Sequence, residues 1–138
     1  MCLVRTNIHC GPKYATKDII CYKVLCKNDR HEYFSPFRHF IYKLNKRVSS
    51  NFSFMLSSIR IQSPQIEYNF SKIFKNFNCV TEGLHSFKYL SDAIGFKDCF
   101  IKGGIVMECT IPKGSWYYDG TNCELVSDNI IINKEIVI

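Results

Sequence analysis

His85 is the residue whose type and setting point most directly to chemistry, because a histidine side chain titrates near neutral pH. It lies in the run Leu84-His-Ser-Phe87, which follows Gly83 and has the composition of a short strand. Successive side chains of a strand point to opposite faces, so His85 and Phe87 share one face. If Leu84 points into the core, His85 lines a groove, where it can bind phosphate or act as an acid or base. A structural histidine that hydrogen-bonds a loop carbonyl is the alternative.

Two clusters combine cations with aromatic rings, a combination that suits stacking on a base and charge contact with its phosphate. The first cluster follows the turn at Pro112 and consists of Lys113, Trp116, Tyr117 and Tyr118. The second cluster follows Pro36 and consists of Arg38, His39, Tyr42 and Lys43. Core packing of at least two of the three rings is the alternative for the first cluster. A solvated strand face explains the second equally well.

Asp128 is a carboxylate that can orient a ribose hydroxyl or serve in catalysis. Ser127-Asp-Asn129 is also ordinary turn chemistry before a strand. The spacing of the carboxylates does not indicate a glycosidase pair, and Gly103-Gly104 is too short for a phosphate-binding loop. The sequence therefore predicts no catalytic motif.

The eight cysteines predict mostly free thiols rather than a metal site or a disulfide framework. Structural zinc normally takes ligands in close pairs, and the closest pair in the body of the chain, Cys21 and Cys26, has no second pair at matching spacing. Three of the cysteines are expected to be small buried hydrophobes, namely Cys21, Cys99 and Cys109. No metal and no cofactor is expected.

The length of 138 residues and the hydrophobic content of 46% predict a single domain, 1–138, with an insertion at about 49–77. The net charge of +6 favours an anionic partner such as a nucleotide, a nucleic acid or an acidic protein surface, unless it serves solubility alone. No apolar run approaches the roughly 18 to 20 residues needed to cross a bilayer, which predicts no membrane association. The aromatic-rich insertion can pack against a second copy of the chain instead of its own core, so a homo-oligomer is one of the open alternatives.

The elements that must position these residues are mainly strands. Continuous apolar runs predict strands at Lys17–Cys26 and Ile105–Ile111, and shorter strands are expected at His31–Phe34 and Phe40–Leu44. A short helix is predicted over Tyr89–Phe96, capped by Ser91 and ended early by Gly95. These elements predict an α+β fold with a mostly antiparallel, strongly bent sheet and one or two short helices.

Several sequence motifs carry a resemblance to small domains of unassigned function that are encoded by phages and large viruses. The motifs are Cys21-Tyr-Lys-Val-Leu25, Ser35-Pro-Phe37, Gly83-Leu-His-Ser-Phe87, Glu108-Cys-Thr-Ile-Pro-Lys-Gly-Ser-Trp-Tyr-Tyr118 and Ser127-Asp-Asn-Ile-Ile-Ile132. More distantly, the series resembles the ADP-ribosyltransferase fold. That resemblance implies that Tyr22 and Lys23 lie at the first motif of the family. It also implies that Leu84, His85 and Ser86 lie at the second motif, and that Asp128 or Glu124 takes the acidic position.

The resulting hypothesis is a small viral or phage binding protein that acts against host defence in the cytoplasm of the host cell. It would sequester a nucleotide-derived ligand, ADP-ribose-like or a cyclic nucleotide, without turnover. The expected ligand contacts are Tyr22, Lys23, Arg38, His85, Ser86, Lys113, Trp116 and Tyr118. One alternative is an enzyme that transfers or cleaves ADP-ribose, with Asp128, Glu124 and His85 as its catalytic residues. The other is a blocker of a host defence protein or of a nucleic-acid-binding defence component through the basic surface between Arg30 and Arg47.

Overall fold

A computed structural model describes residues 6–7, 11–36, 38–55 and 79–138 of the chain. The described part contains thirteen strands and one helix. The strands are β1 (Thr6–Asn7), β2 (Lys13–Tyr14), β3 (Ile19–Lys27), β4 (Tyr33–Phe34), β5 (Ile41–Tyr42), β6 (Arg47–Ser49), β7 (Ser53–Met55), β8 (Cys79–Glu82), β9 (Leu84–Phe87), β10 (Ile105–Ile111), β11 (Trp116–Asp119), β12 (Glu124–Ser127) and β13 (Asn129–Glu135). The helix is α1 (Leu90–Phe100). Most of the predicted insertion at 49–77 lies outside the described residues, so the domain prediction stays a prediction.

The main sheet has ten strands, eight of them in the order β2-β11-β12-β9-β3-β10-β13-β6. Strand β4 pairs with the end of β3 and with β5, and a separate sheet has the order β1-β8-β7. All paired strands of both sheets run antiparallel. The predicted α+β class is therefore wrong, because a mainly β architecture carries one helix on its surface. The antiparallel arrangement itself was predicted.

Strands β3 and β10 form the centre of the sheet, as their continuous apolar runs predicted. They pair over seven residues, from Ile19 opposite Ile111 to Leu25 opposite Ile105. Alternate residues of β3 point to two faces, which we call the Leu25 face and the Val24 face after a buried residue on each. Both faces are covered, which explains why β3 lacks the polar alternation of a strand with one solvated side.

The Leu25 face carries the larger apolar core. Its buried members are Cys21, Leu25, Tyr42, Leu84, Met107, Cys109, Ile111, Leu125, Ile130 and Ile132. The Val24 face packs against α1 through Phe87, Ala93 and Val106. Strands β6 and β9 are separated by three strands in the sheet but line one cleft, so the sheet is strongly curved around its Leu25 face.

Helix α1 exists where the sequence predicted a helix, but the predicted cap residue and the predicted C-terminal end are wrong. It begins at Leu90 after Tyr89, which makes no side-chain cap, so the predicted cap Ser91 lies inside the helix. It also continues through Gly95 to Phe100. The reason is tertiary packing: Phe96 contacts Phe87 of β9 with ring centroids 5.3 Å apart, and this burial offsets the roughly 1 kcal/mol cost of a helical glycine. No helix of the described part is long and apolar enough to cross a bilayer.

Candidate functional site

A cleft of about 330 Å³ opens between β3, the β4–β5 hairpin, the end of β6 and the start of β9. Four separate stretches of the chain contribute to its wall. The lining residues are Lys23, Ser35, Arg38, Phe40, Tyr42, Val48, Ser49, Ser50, Glu82, Gly83, Leu84 and His85. The cleft therefore brings together three of the residues predicted to bind a ligand, namely Lys23, Arg38 and His85.

Lys23 is the most unusual residue of the cleft, because it is a lysine with only 1% of its surface exposed. The alternation of β3 places it on the Leu25 face, between Cys21 and Leu25 and opposite Met107 of β10. Its ammonium group donates a hydrogen bond to the His85 carbonyl oxygen and lies 5.3 Å from the centre of the Tyr42 ring. These contacts hold a positive charge in the wall of the cleft.

The β4–β5 hairpin forms the second wall and presents a cation beside aromatic rings. A tight turn joins its strands, with Ser35 N bonded to Phe40 O at 2.9 Å and His39 N to Ser35 O at 2.8 Å. His39 adopts a left-handed backbone conformation with φ of 54°, just before the chain returns along β4 as β5. Phe40 is 48% exposed and meets Tyr42 edge to face at 4.9 Å. Arg38, in the same turn, is exposed.

His85 lies on the face of β9 that the alternation predicted, but its ring is buried rather than open to the cleft. The Nε2 atom is 3.4 Å from the Val80 carbonyl oxygen of β8. Burial, and then the charge of Lys23, lower the pKa of His85 from its usual 6.5 to about 3. The imidazole is therefore neutral at physiological pH and is poorly suited to proton transfer there.

A second, shallower pocket of about 290 Å³ adjoins the cleft and shares Ser49 and Ser50 with it. Asp128 and Asn129 line its other side. Asp128 Oδ1 accepts hydrogen bonds from the Trp116 backbone N–H at 3.0 Å and from Asn129 Nδ2 at 2.8 Å. This carboxylate therefore holds the turn between β12 and β13, which is the structural alternative that the sequence left open.

Lys113 and Trp116 lie away from the cleft, at the edge of the sheet formed by β2 and β11. Lys113 is exposed in the turn after β10, where its backbone N–H donates to Asp18 Oδ1 at 2.8 Å. Trp116 is 46% exposed and meets Tyr14 of β2 at 5.2 Å. The predicted set of ligand contacts is thus divided between two regions.

The other predicted residues serve as packing or strand positions. Tyr22 packs on the Val24 face beneath α1, opposite Phe87. Tyr118 is buried with Val80 and Val126, so its ring belongs to the core, as the packing alternative for the first cluster stated. Glu124 begins β12. Ser86 is fully buried on the Leu25 face, and its Oγ makes no hydrogen bond of ordinary geometry with a described residue.

Sequence reasoning missed several lining residues, above all Ser49, Ser50 and Glu82. No local pattern marks them. Ser49 and Ser50 reach the cleft because β6 pairs with β13, and Glu82 reaches it because it lies at the end of β8, next to the start of β9. Within the described ranges, no group of three or more His, Cys, Asp or Glu side chains is arranged to hold a metal ion. The chain matches no protein-family model, no curated protein and no solved structure.

Proposed function

We propose that the protein is a binding protein whose cleft captures a small, phosphate-bearing ligand of nucleotide type without converting it. The observation that carries this proposal is the buried Lys23 in the cleft wall. Removing an ammonium group from water is unfavourable, and a negatively charged ligand group beside it would recover part of that free energy. An anion is therefore the ligand class that this wall favours most.

The remaining cleft residues support a ligand with both charge and a flat ring. Arg38 adds a second cation, whereas Glu82 is the one carboxylate among the described lining residues, so this part of the lining carries a net positive charge with His85 neutral. Guanidinium and ammonium groups form charge-assisted hydrogen bonds with phosphate. The half-exposed Phe40 ring offers a surface on which a base can stack.

The size of the cleft favours a mononucleotide, linear or cyclic, over ADP-ribose. Ligand pockets span about 300 to 1,000 Å³, and the value of about 330 Å³ lies at the lower end. ADP-ribose would also need the pocket beside Asp128. The enzymatic alternative receives less support, because His85 is buried and Asp128 already accepts two hydrogen bonds. The role in counter-defence and the viral origin stay predictions from the sequence.

Calorimetric titration with AMP, cyclic AMP, ADP-ribose and adenosine tests the proposal. We expect AMP or cyclic AMP to bind at least tenfold more tightly than adenosine, because adenosine lacks the phosphate that the cations contact. Arg38→Gln should weaken AMP binding by about tenfold, as expected for the loss of one charge-assisted contact worth roughly 1.5 kcal/mol. Arg38 is exposed, so this variant should fold normally.

Lys113→Gln is the matched control, because it removes one positive charge from the other basic and aromatic cluster. Its affinity for AMP should equal that of the unchanged protein. Equal weakening by both variants would mean that net charge, rather than the cleft, attracts the ligand, and it would overturn the proposal. Absence of AMP and cyclic AMP binding at millimolar ligand would also overturn it. Detection of hydrolysed ligand by mass spectrometry would show that the protein is an enzyme rather than a binding protein.

A further inference from the structure

Two thiols face each other in the larger core, next to the cleft. Cys21 of β3 and Cys109 of β10 are directly opposite each other in the antiparallel register, and both are free and fully buried. The two side chains are close enough to influence each other's ionisation, and the Cys109 S–H donates a hydrogen bond to the Met107 carbonyl oxygen at 3.6 Å. Opposite residues of an antiparallel pair have Cα atoms about 4.5 or 5.5 Å apart, and disulfides span about 4.4 to 6.8 Å. The two strands thus hold the thiols at a separation that a disulfide can bridge.

The surroundings of the two thiols are unusually polar for an apolar core. Lys23 follows Cys21 by two residues and lies on the same face, so its ammonium group is near both sulfurs. The buried Ser86 hydroxyl makes no ordinary hydrogen bond with a described residue, yet it is close enough to Cys21 to favour the charged form of that thiol. A cation and a hydroxyl group beside one thiol are the features that stabilise a thiolate.

We propose that Cys21 and Cys109 form a redox-reactive dithiol site that hydroperoxides convert to a disulfide between β3 and β10. The site does not depend on the ligand of the cleft. Neither thiol was predicted to do chemistry, because the sequence indicated small buried hydrophobes at both positions.

The two thiols have different roles in this reaction. The adjacent Cys109 side chain, more than any other cause, lowers the pKa of Cys21, whereas burial raises the pKa of Cys109 well above its usual value. Cys21 is therefore the thiol that attacks first, since the thiolate is the nucleophile. Cys109 stays protonated until the second step.

The reaction balances with one hydroperoxide per disulfide. The Cys21 thiolate attacks one oxygen of hydrogen peroxide, breaks the O–O bond and becomes a sulfenic acid, while hydroxide leaves and takes up the proton that Cys21 released. The Cys109 sulfur then attacks the Cys21 sulfur, and the sulfenic oxygen leaves as water with the Cys109 proton. Two thiols are oxidised by two electrons in total, and the peroxide is reduced to two molecules of water.

Peptide mapping of the full chain tests the site without any substitution. Trypsin cleaves after Lys17, Lys23, Lys102 and Lys113, so Cys21 and Cys109 fall in separate peptides, 18–23 and 103–113, each with one cysteine. The native protein is first treated with N-ethylmaleimide, which blocks accessible thiols such as the exposed Cys99 and Cys123. Hydrogen peroxide is added next, and the digest is analysed with and without reductant. The expected product is peptide 18–23 linked to peptide 103–113, lost on reduction.

Two variants distinguish the ordered reaction from accidental oxidation. Cys109→Ser should stop the reaction at the sulfenic acid of Cys21, which dimedone traps, whereas Cys26→Ser should leave the linked peptide unchanged. If Cys21 and Cys109 remain reduced while peroxide oxidises the methionines, the proposal is wrong. It is equally wrong if the linked peptide forms only after the chain is unfolded in urea.

Discussion

Cations and aromatic rings occur together in two regions of the protein, and the two regions differ in shape and burial. In the cleft, Lys23 is 1% exposed and lies beneath the Tyr42 ring in a concave wall. At the edge formed by β2 and β11, the rings of Tyr14 and Trp116 are about half exposed. One of the cations there, Lys13, forms an ion pair with Asp119 at the protein surface.

This difference shows why composition alone does not identify a site. Exposed charges and rings of the edge are surrounded by water and salt, so each contact contributes only about 0 to 1 kcal/mol. The cleft removes its cation from water, and a charge held in such a place interacts much more strongly with an anion.

His85 should make the cleft region sensitive to acid. Its pKa is about 3 in the folded protein and about 6.5 in the unfolded chain, so the unfolded chain binds more protons between these values. The neutral imidazole therefore contributes stability that is fully present above pH 6.5 and is lost as the pH falls toward 3. Between pH 7.5 and 4.5 the loss should be on the order of 2 to 3 kcal/mol, measured by urea unfolding at each pH.

The His85→Asn variant should flatten this part of the stability profile, because asparagine does not titrate. The exposed His39 is the matched control, and its left-handed backbone conformation is one that asparagine adopts readily. The His39→Asn variant should keep the full slope. A profile that is the same for His85→Asn and the unchanged protein would show that folding does not lower the pKa of His85.

Gly83 and Gly114 allow a second comparison, of the room that each position leaves for a Cβ atom. Both have positive φ, 144° and 91°. A Cβ atom on Gly83 would lie 2.4 Å from Val126 Cγ1, whereas one on Gly114, in the turn at the edge, meets nothing closer than the Tyr14 hydroxyl at 3.6 Å. Gly83→Ala should cost about 3 kcal/mol through backbone strain and overpacking, and Gly114→Ala about 1 kcal/mol through strain alone. Thermal or urea unfolding measures both, and equal costs would contradict the tight packing of β9 on β12.

The parts of the fold that could be predicted are those that depend on local pattern. The runs at β3 and β10 are apolar on both faces, and the turn with Gly114 needs a residue that tolerates positive φ. The helix was found from its composition, but its length depends on the contact of Phe96 with β9. The fold class was wrong although β4 and β5 lie within predicted strands, because other strands of two or three residues, such as β2 and β6, are recognisable only by their pairing.

The candidate site could be predicted only in part, for a similar reason. The alternation of side chains along a strand predicts which face of the sheet His85 occupies. It does not predict that β8 covers this face and buries the ring. Lys23 lies in an apolar strand, which indicates burial, whereas its distance from Arg38 depends on the hairpin folding back along β3. Trp116 has the right chemistry for stacking, but its strand is near the opposite edge of the sheet.

Phe40 and Trp116 provide the smallest and most specific comparison, because each is a half-exposed ring in one of the two regions. Phe40→Ala should weaken AMP binding by about five- to tenfold, since stacking of one base on one ring is worth roughly 1 kcal/mol or more. Trp116→Ala should leave binding unchanged, because Trp116 lies outside the cleft and contacts Tyr14. Both variants lose an exposed ring, so their unfolding curves serve as the check that the fold is intact. If Trp116→Ala weakens binding and Phe40→Ala does not, the ligand binds at the edge formed by β2 and β11, and the buried charge of Lys23 stabilises the core instead.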